Sequence, residues 1–469
     1  MSDLHELTAV QQVSALQSRE LSSLELTEHY LRRIDEHDVG LHCFVSVFAE
    51  QALAAARMAD AGPVTGGLHG LPLGLKDLHP TAGLRTTMGS KALEGWVPDV
   101  DAPVVGALRR AGIVVIGKTN APEFGPTCYT ENTVGGATLS PYGSHRSPSG
   151  SSGGAAAAVA AGLQPLGHAS DGLGSIRTPA AACGLVGHKP SRGRFDGSGG
   201  DWQALAVEGP VARTVGDAAL FLDALPRPRT GVLWGGAPWL SGAHAEAARR
   251  RVSGLRIGVH VEPGIDVAVD SACLAAVRAT AEHLSEQGHE VVEVPHDLLP
   301  RVDRLQDALV SSMAARIGMA VDLVVPADRR GLLLPLTLWL HEQGTRQPST
   351  VFARAQSLLA AAACAWLEGQ AAYDVLLTPT TTSRPLATGE LRHDDGHESL
   401  TAMLRYSAFT PWANLTGAPA ISLPVAMTPD GLPIGVQMIG RLGEDEQLLS
   451  LAAALEEHLR WDMRHPPLW

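Results

Sequence analysis

Lysine is scarce in this chain. Of 36 lysine and arginine residues only Lys76, Lys91, Lys118 and Lys189 are lysine, and all four fall between residues 76 and 189. Arginine serves wherever a solvated positive charge is enough. It cannot serve where a group must give up its proton, because guanidinium stays charged in proteins while a buried ammonium can be neutralised. Chance clustering in a lysine-poor composition is the plain explanation; the sharper one is that one of these lysines is a base. Cysteine is scarce as well. The five, at 43, 128, 183, 273 and 364, form no C-x-x-C pair, which argues against a disulfide scaffold or a structural zinc and suits a reducing compartment. There is no run of basic residues and the net charge is −13, which argues against nucleic acid as a partner. The apolar stretch 153–169 is mostly Ala and Gly, shorter than a spanning helix needs. The opening residues MSDLHELTAV carry acidic groups and no apolar core, so no signal peptide is read there. The expectation is a soluble cytoplasmic protein with no membrane partner.

What is present is a large core: 469 residues, 45% of them hydrophobic. Helical spacing and Ser caps predict a helix over 22–38, with a second over 48–61. LPLGLKD (71–77) reads as a buried strand ending on Lys76. A helix (102–111) and the strand IVVIGK (113–118) follow, then a long loop over 119–150 and an Ala-rich helix over 155–161. Loops of that length are usually functional or disordered. Residues 209–225 read as a capped amphipathic helix, and 226–253 as a surface excursion. LRIGVH (255–260), a helix (270–287) and HEVVEV (289–294) read as a β-α-β unit. Long helices are expected over 302–322 and 351–370, a strand at 374–379, a loop at 380–400, paired strands at 419–427 and 433–440, and a last helix over 444–459. With no repeat and no clear linker, the reading is one α/β domain over 1–469 around a central sheet. Its chemistry would sit in 76–194, and 226–345 would be a variable excursion toward a substrate pocket.

Two glycine clusters carry serines: S-G-S-S-G-G (149–154) and D-G-L-G-S-I-R-T-P (171–179). Glycine lets a substrate approach the main chain, and successive amides in such turns can converge on an anion. A serine ending such a turn is placed to use those amides as an oxyanion hole. Serine needs a partner base, and a lysine serves if burial or a nearby cation brings its pKa toward neutrality.

The chain resembles the amidase signature family along almost its full length. The resemblance is carried by GLPLGLKD (70–77), AGIVVIGKTNAPEFG (111–125), SPSGSSGGAAAAVAAG (147–162), HASDGLGSIRTPAAACGLVGHKPSRGR (168–194), GPVARTVGDAA (209–219) and NLTGAPAISLP (414–424). It implies a mixed central sheet covered by helices on both faces, no cofactor and no metal, and cleavage or transfer of amides by a Ser–cisSer–Lys triad. Matched residue by residue, Lys76 takes the place of the base, Ser151 that of the serine after a cis peptide bond, and Ser175 that of the nucleophile. The amides of Gly172, Leu173, Gly174 and Ser175 take the place of the oxyanion hole. The wording HASDGLGSIR and the ending HPPLW resemble the bacterial branch around 6-aminohexanoate cyclic-dimer hydrolase more than the amidase-type component of the tRNA-dependent amidotransferase. A homodimer acting on a small or medium amide is the family expectation. Leu173 stands where the family usually has Gly, Gly172 where it has Thr or Gly, Ser149 where it has Gly, Ser140 where it has Asn, and His188 where it has an apolar residue. These departures bear on substrate class rather than on reaction type.

Rival readings of the same residues are open. Lys118 ends a strand as Lys76 does and is the competing base, though GKTN reads as a structural strand exit. Ser152 is the centre of a G-x-S-x-G match, which would make an α/β-hydrolase-type esterase; a loop precedes it where that turn needs a strand, so a helix N-cap is the expectation. Asp171 would brace the nucleophile loop or simply form a turn, and Arg177 would bridge helix and loop. Gly125, Thr127, Cys128 and Trp412 are candidates for the substrate pocket, with an ordinary core tryptophan as the alternative for the last. Cys128 with Glu123 and a lysine would suggest a Cys–Glu–Lys amidase, but its surroundings lack the needed turn. His393, Asp394, Asp395 and His397 have metal-ligand chemistry in what reads as a solvated loop. A third class is an amidase-fold protein that passes ammonia within a complex.

Overall fold

The computed structural model describes residues 4–195, 205–226 and 243–469. The strands are β1 (Phe44–Val47), β2 (Pro72–Lys76), β3 (Val114–Thr119), β4 (Glu131–Asn132), β5 (Gly136–Ala137), β6 (Gly167–Asp171), β7 (Val186–Lys189), β8 (Val207–Ala212), β9 (Arg256–Val259), β10 (Glu290–Glu293), β11 (Val375–Pro379), β12 (Ala420–Met427) and β13 (Pro433–Gly440). Eight of them form one mixed sheet in the order β10-β9-β11-β13-β12-β7-β8-β6. The β9, β10 and β11 pairings are parallel; from β11 through to β6 every pairing is antiparallel. The parallel end is the expected β-α-β unit, with helix Ser271–Glu286 as its crossover. β11 is buried along its whole length, as strands covered on both faces are.

A second sheet, order β1-β3-β2, is separate from the first. Its β2 edge packs along β6, the last strand of the large sheet. Lys76 ends β2 and Asp171 ends β6, so both candidate motifs converge on this seam between the two sheets. The helix Gly153–Ala160 seals it. All eight of its residues are buried. A Cβ on Gly154 would lie 2.4 Å from the Asn120 amide nitrogen and 2.6 Å from the Cys43 carbonyl oxygen, so only glycine lets this helix seat against β3 and carry the preceding serines to the lysine.

Most expected elements are found within a residue or two. Helix Ser23–His37 begins with a reciprocal cap between Ser22 and Glu25, and β12 pairs with β13 across the turn at 428–432. Several readings are corrected. Residues 209–225 are not one helix: 209–212 belong to β8, and the helix Val215–Ala224 starts at the Thr214 cap. The helices Arg177–Ala182, Pro335–Arg346 and Gly396–Tyr406 and the strands β1, β6 and β7 were not anticipated. The last of those helices starts inside the segment read as a loop. Part of the expected 226–345 excursion, 227–242, lies outside the described residues. The helix Gln306–Val324 within it does reach the cavity described below. Ser349–Gln370 is long and apolar enough by length and composition to cross a membrane; it packs on Gln306–Val324 and on Pro411–Thr416.

Candidate active site

Lys76 is fully buried. Its Nζ lies 2.9 Å from Ser151 Oγ, 2.7 Å from Ser152 Oγ, 3.0 Å from Ser170 Oγ and 3.3 Å from the Ser170 carbonyl oxygen. Burial pushes its pKa down to about 7, against the opposing pull of Glu208 and Asp171. An ammonium offers three donors and no acceptor; a neutral amine offers two donors and one lone pair. Surrounded by hydroxyls, which both donate and accept, Lys76 is satisfied in either state. That is the environment a proton-exchanging amine needs.

Ser151 follows a cis peptide bond from Gly150, as the resemblance implies. Ser149, where the family has glycine, has φ +63°, a left-handed conformation that glycine adopts freely and serine rarely does. Its hydroxyl donates to the Cys128 carbonyl at 3.0 Å. Ser152 occupies the N-cap position of the next helix, as expected, but its side chain makes no cap bond; its hydroxyl faces Lys76 instead. That contact also leaves Ser152 beside the amine rather than raised on a strand-to-helix elbow.

Ser175 is half-buried and stands on a loop held by Asp171. The two Asp171 oxygens accept from the amides of Gly174 (2.6 Å) and Ile176 (3.1 Å) and from Arg177 Nε and Nη2, both at 2.9 Å. Burial alone would raise the Asp171 carboxyl; the Arg177 guanidinium overrides it and holds the pKa near 2. Arg177 opens the helix Arg177–Ala182, so its bonds to Asp171 bridge helix and loop as expected; it also donates to the Thr410 carbonyl, Gln437 and Asn414. The Gly174 amide, being committed to Asp171, is not available to a substrate, which corrects the four-amide oxyanion set. The amides of Gly172, Leu173 and Ser175 have no acceptor among the described residues. Gly174 itself is required: at φ +135° only glycine is at ease, and a Cβ would lie 2.3 Å from Thr410 Oγ1.

Thr178 joins the two serine motifs. Its hydroxyl donates to the Gly150 carbonyl at 2.9 Å and lies 3.1 Å from the Gly174 carbonyl. Ser151 and Ser175 line one two-lobed cavity, whose lobes share Pro126, Leu173, Ser175, Leu309 and Met313. One lobe, about 600 Å³ counting space open to solvent, is walled by Thr127, Cys128, Val310, Leu400, Met403 and Leu404 and has no charged lining residue. The other, about 790 Å³ counting space open to solvent, holds Leu78, Gly125, Ser151 and Ser170, with Arg316 its one charged lining residue. Leu173 lines both lobes. Thr127 and Cys128 line one lobe and Gly125 the other. Trp412 does not: it stacks on Trp366, ring centroids 4.5 Å apart, and belongs to the core.

The competing candidates fall elsewhere. Lys118 Nζ donates to the His79 carbonyl (2.6 Å), Thr81 (2.9 Å) and Thr86 (3.3 Å) and faces Asp77 at 3.9 Å. All three of its protons are used away from the serines, as a structural lysine requires. Burial pushes the Cys128 thiol up to about 11, and Glu123 is bound instead to Ser90 and the Leu334 amide. His393, Asp394, Asp395 and His397 are exposed, and Asp395 caps the helix Gly396–Tyr406.

Sequence reasoning missed Ser170, Thr178, Asn414 and a group formed by His79, His168 and Glu208, whose ligand atoms lie within 4.8 Å of one another. Metal binding does not fit that group. His168 Nδ1 accepts from the Lys76 amide at 3.3 Å, which puts the ring proton on Nε2, facing Glu208 Oε2 at 3.2 Å. A metal there would need that nitrogen bare, and the displaced proton would then oppose the Lys76 N–H. A detectable signal existed: had β6 been recognised, its period of two would have put His168 and Ser170 on one face.

The amidase family model matches residues 25–449. The chain belongs to the amidase family. It is therefore an enzyme of amide C–N bonds. It is 35% identical to the 6-aminohexanoate-cyclic-dimer hydrolase of a Pseudomonas species, over 98% of this chain and 96% of that one. It is 36% identical, over the same shares, to a glutamyl-tRNA(Gln) amidotransferase component from Acidothermus cellulolyticus. Among solved structures, 6-aminohexanoate cyclic dimer hydrolase complexed with substrate superposes with a TM-score of 0.92 at 31% identity, covering 99% of each chain.

Proposed function

We propose that this amidase hydrolyses a small or medium amide through an acyl-enzyme, with Lys76 as base, Ser151 as relay and Ser175 as nucleophile. Ser175 Oγ adds to the amide carbonyl while its proton passes to Ser151 and the Ser151 proton passes to Lys76 Nζ. The oxyanion is met by the amides of Gly172, Leu173 and Ser175. The proton then returns through Ser151 to the leaving nitrogen, the C–N bond breaks, and water releases the acyl group from Ser175 by the same relay. The observation that carries this reading is the buried Lys76 amine at hydrogen-bond distance from Ser151, in a cavity that Ser151 shares with Ser175.

The uncharged lobe favours a substrate with an apolar chain or ring on one side of the scissile bond. The cyclic-dimer hydrolase likeness supports a self-sufficient hydrolase. The equally similar amidotransferase component is the second reading, in which the chain would act only within a complex. Turnover of simple amides by the isolated chain separates the two. Fluorophosphonate treatment with peptide mapping tests the nucleophile: the adduct is expected on Ser175 and lost in Ser175→Ala. An adduct on Ser152, or one that persists in the variant, would remove the assignment.

A further inference from the structure

The charges acting on the Lys76 amine are Glu208 on β8 and Asp171 on β6. His168 on β6 and His79 in the turn after β2 lie against Glu208, while Asp77 in that turn and Lys118 on β3 face each other. Most of these are already matched. Asp171 is bound bidentately by Arg177, at 2.9 Å through each oxygen. Asp77 accepts from Thr87 and faces Lys118 at 3.9 Å. Glu208 is different. Its partners are two imidazoles: His168 Nε2 at 3.2 Å and His79 Nε2 at 3.4 Å, the latter poorly aligned for a hydrogen bond. The other nitrogen of His168 accepts from the Lys76 amide at 3.3 Å. His79 is buried so deeply that its pKa falls to about 3. Among the described residues no Lys or Arg forms an ion pair with Glu208.

We propose that Glu208 is the counter-charge of Lys76, a positioning residue that keeps the buried amine able to take the Ser175 proton, and that His168 fixes it there. This rests on Lys76 being the base. Burial alone strips an amine of its affinity for protons, and a base too weak at working pH transfers poorly. A carboxylate with no Lys or Arg ion pair among the described residues offsets that loss, and Glu208 is the leading electrostatic opponent of burial at Lys76. Burial works against ionisation of Glu208 as well, yet His79, His168 and Lys76 hold its carboxyl below the ordinary range, so it is charged when the enzyme works. His168 couples the two by bridging from the Lys76 backbone to the Glu208 carboxylate.

The test is the pH dependence of kcat/KM in the full-length chain. Glu208→Gln should move the acid limb to lower pH by about one unit, which is about tenfold more neutral amine well below the wild-type midpoint. Glu208→Asp should keep the limb near its wild-type position. His168→Gln, which loosens the carboxylate without removing it, should shift the limb in the same direction as Glu208→Gln and serves if that variant does not fold. An acid limb unchanged in Glu208→Gln, or moved equally in Glu208→Asp, overturns the proposal. Failure of the underlying reading shows differently: Lys76→Ala would then keep its turnover, whatever Glu208 does.

Discussion

Three lysines are buried in this protein, and each meets different company. Lys118 has acceptors for all three of its protons. Lys189 donates to the Pro190 carbonyl amid the positive charges of Arg177 and Arg192. Lys76 faces three serine hydroxyls, of Ser151, Ser152 and Ser170, able to lend it a proton or take one. We therefore expect Lys76→Ala to lose about 10²- to 10⁴-fold in kcat, and Lys76→Arg to be as inactive, since guanidinium does not deprotonate. Lys118→Ala should instead lower unfolding stability by about 1–3 kcal/mol while the folded fraction retains turnover. Steady-state kinetics beside urea unfolding separates these effects, and the opposite pattern would move the base to Lys118. In the wild type the rate should rise with pH through about 7, the depressed value of Lys76, because only the neutral amine accepts a proton. A rate falling steadily above pH 7 would contradict a lysine base.

At the scale of elements, the Ser175 loop is shaped by one ion pair. Asp171 ends β6, Arg177 opens the next helix, and between them the chain is tied at Gly174 and Ile176. Both side chains are completely buried. Removing the carboxylate leaves a guanidinium without its charge partner, a loss usually worth about 3–5 kcal/mol. Asp171→Asn should therefore unfold at lower urea, and the folded enzyme should turn over more slowly as the Ser175 loop relaxes. Stability unchanged within error would show that Asn414 and Gln437 suffice to satisfy Arg177. The elements that escaped sequence reading are the short ones here. VGHK and GHASD have few β-branched residues and each contains glycine, so nothing local marks β7 and β6 as strands. They are strands because β12 and β8 pair with them. The helix Gly396–Tyr406 did carry a local signal, Asp395 with Glu398 three residues on, hidden in a segment whose charges suggested solvent.

For the molecule as a whole, buried bases tie stability to pH. Burial pushes Lys189 down to about 7 in the folded protein. Between that value and the ordinary lysine range the unfolded chain binds one more proton than the folded one, so this group makes stability rise with pH. Lys189→Met removes that dependence. The stability of the wild type relative to Lys189→Met should climb by up to about 1.4 kcal/mol per pH unit between about pH 7.5 and 9.5, measured by urea unfolding of both proteins. Parallel curves would show that Lys189 keeps its proton when folded.

The amino-acid order by itself determined the kinds of residue available and much of the scaffold. Long periodic helices, the apolar strands β2, β3, β11, β12 and β13, and the two serine-bearing glycine turns follow from local preference and spacing, because such runs have few other ways to bury their side chains. The lysine asymmetry pointed to the segment that holds the buried Lys76. What those residues face was decided only by packing. Lys76, Ser151, Ser170 and Glu208 come from points up to 132 positions apart, brought together where the edges of two sheets meet. Desolvation and through-space charge govern a proton's affinity, and neither is a property of spacing along the chain. That is why Ser170, Thr178 and the His168–Glu208 pair emerged only in three dimensions, and why Trp412 and the Gly174 amide, plausible on paper, are committed to the core and to Asp171.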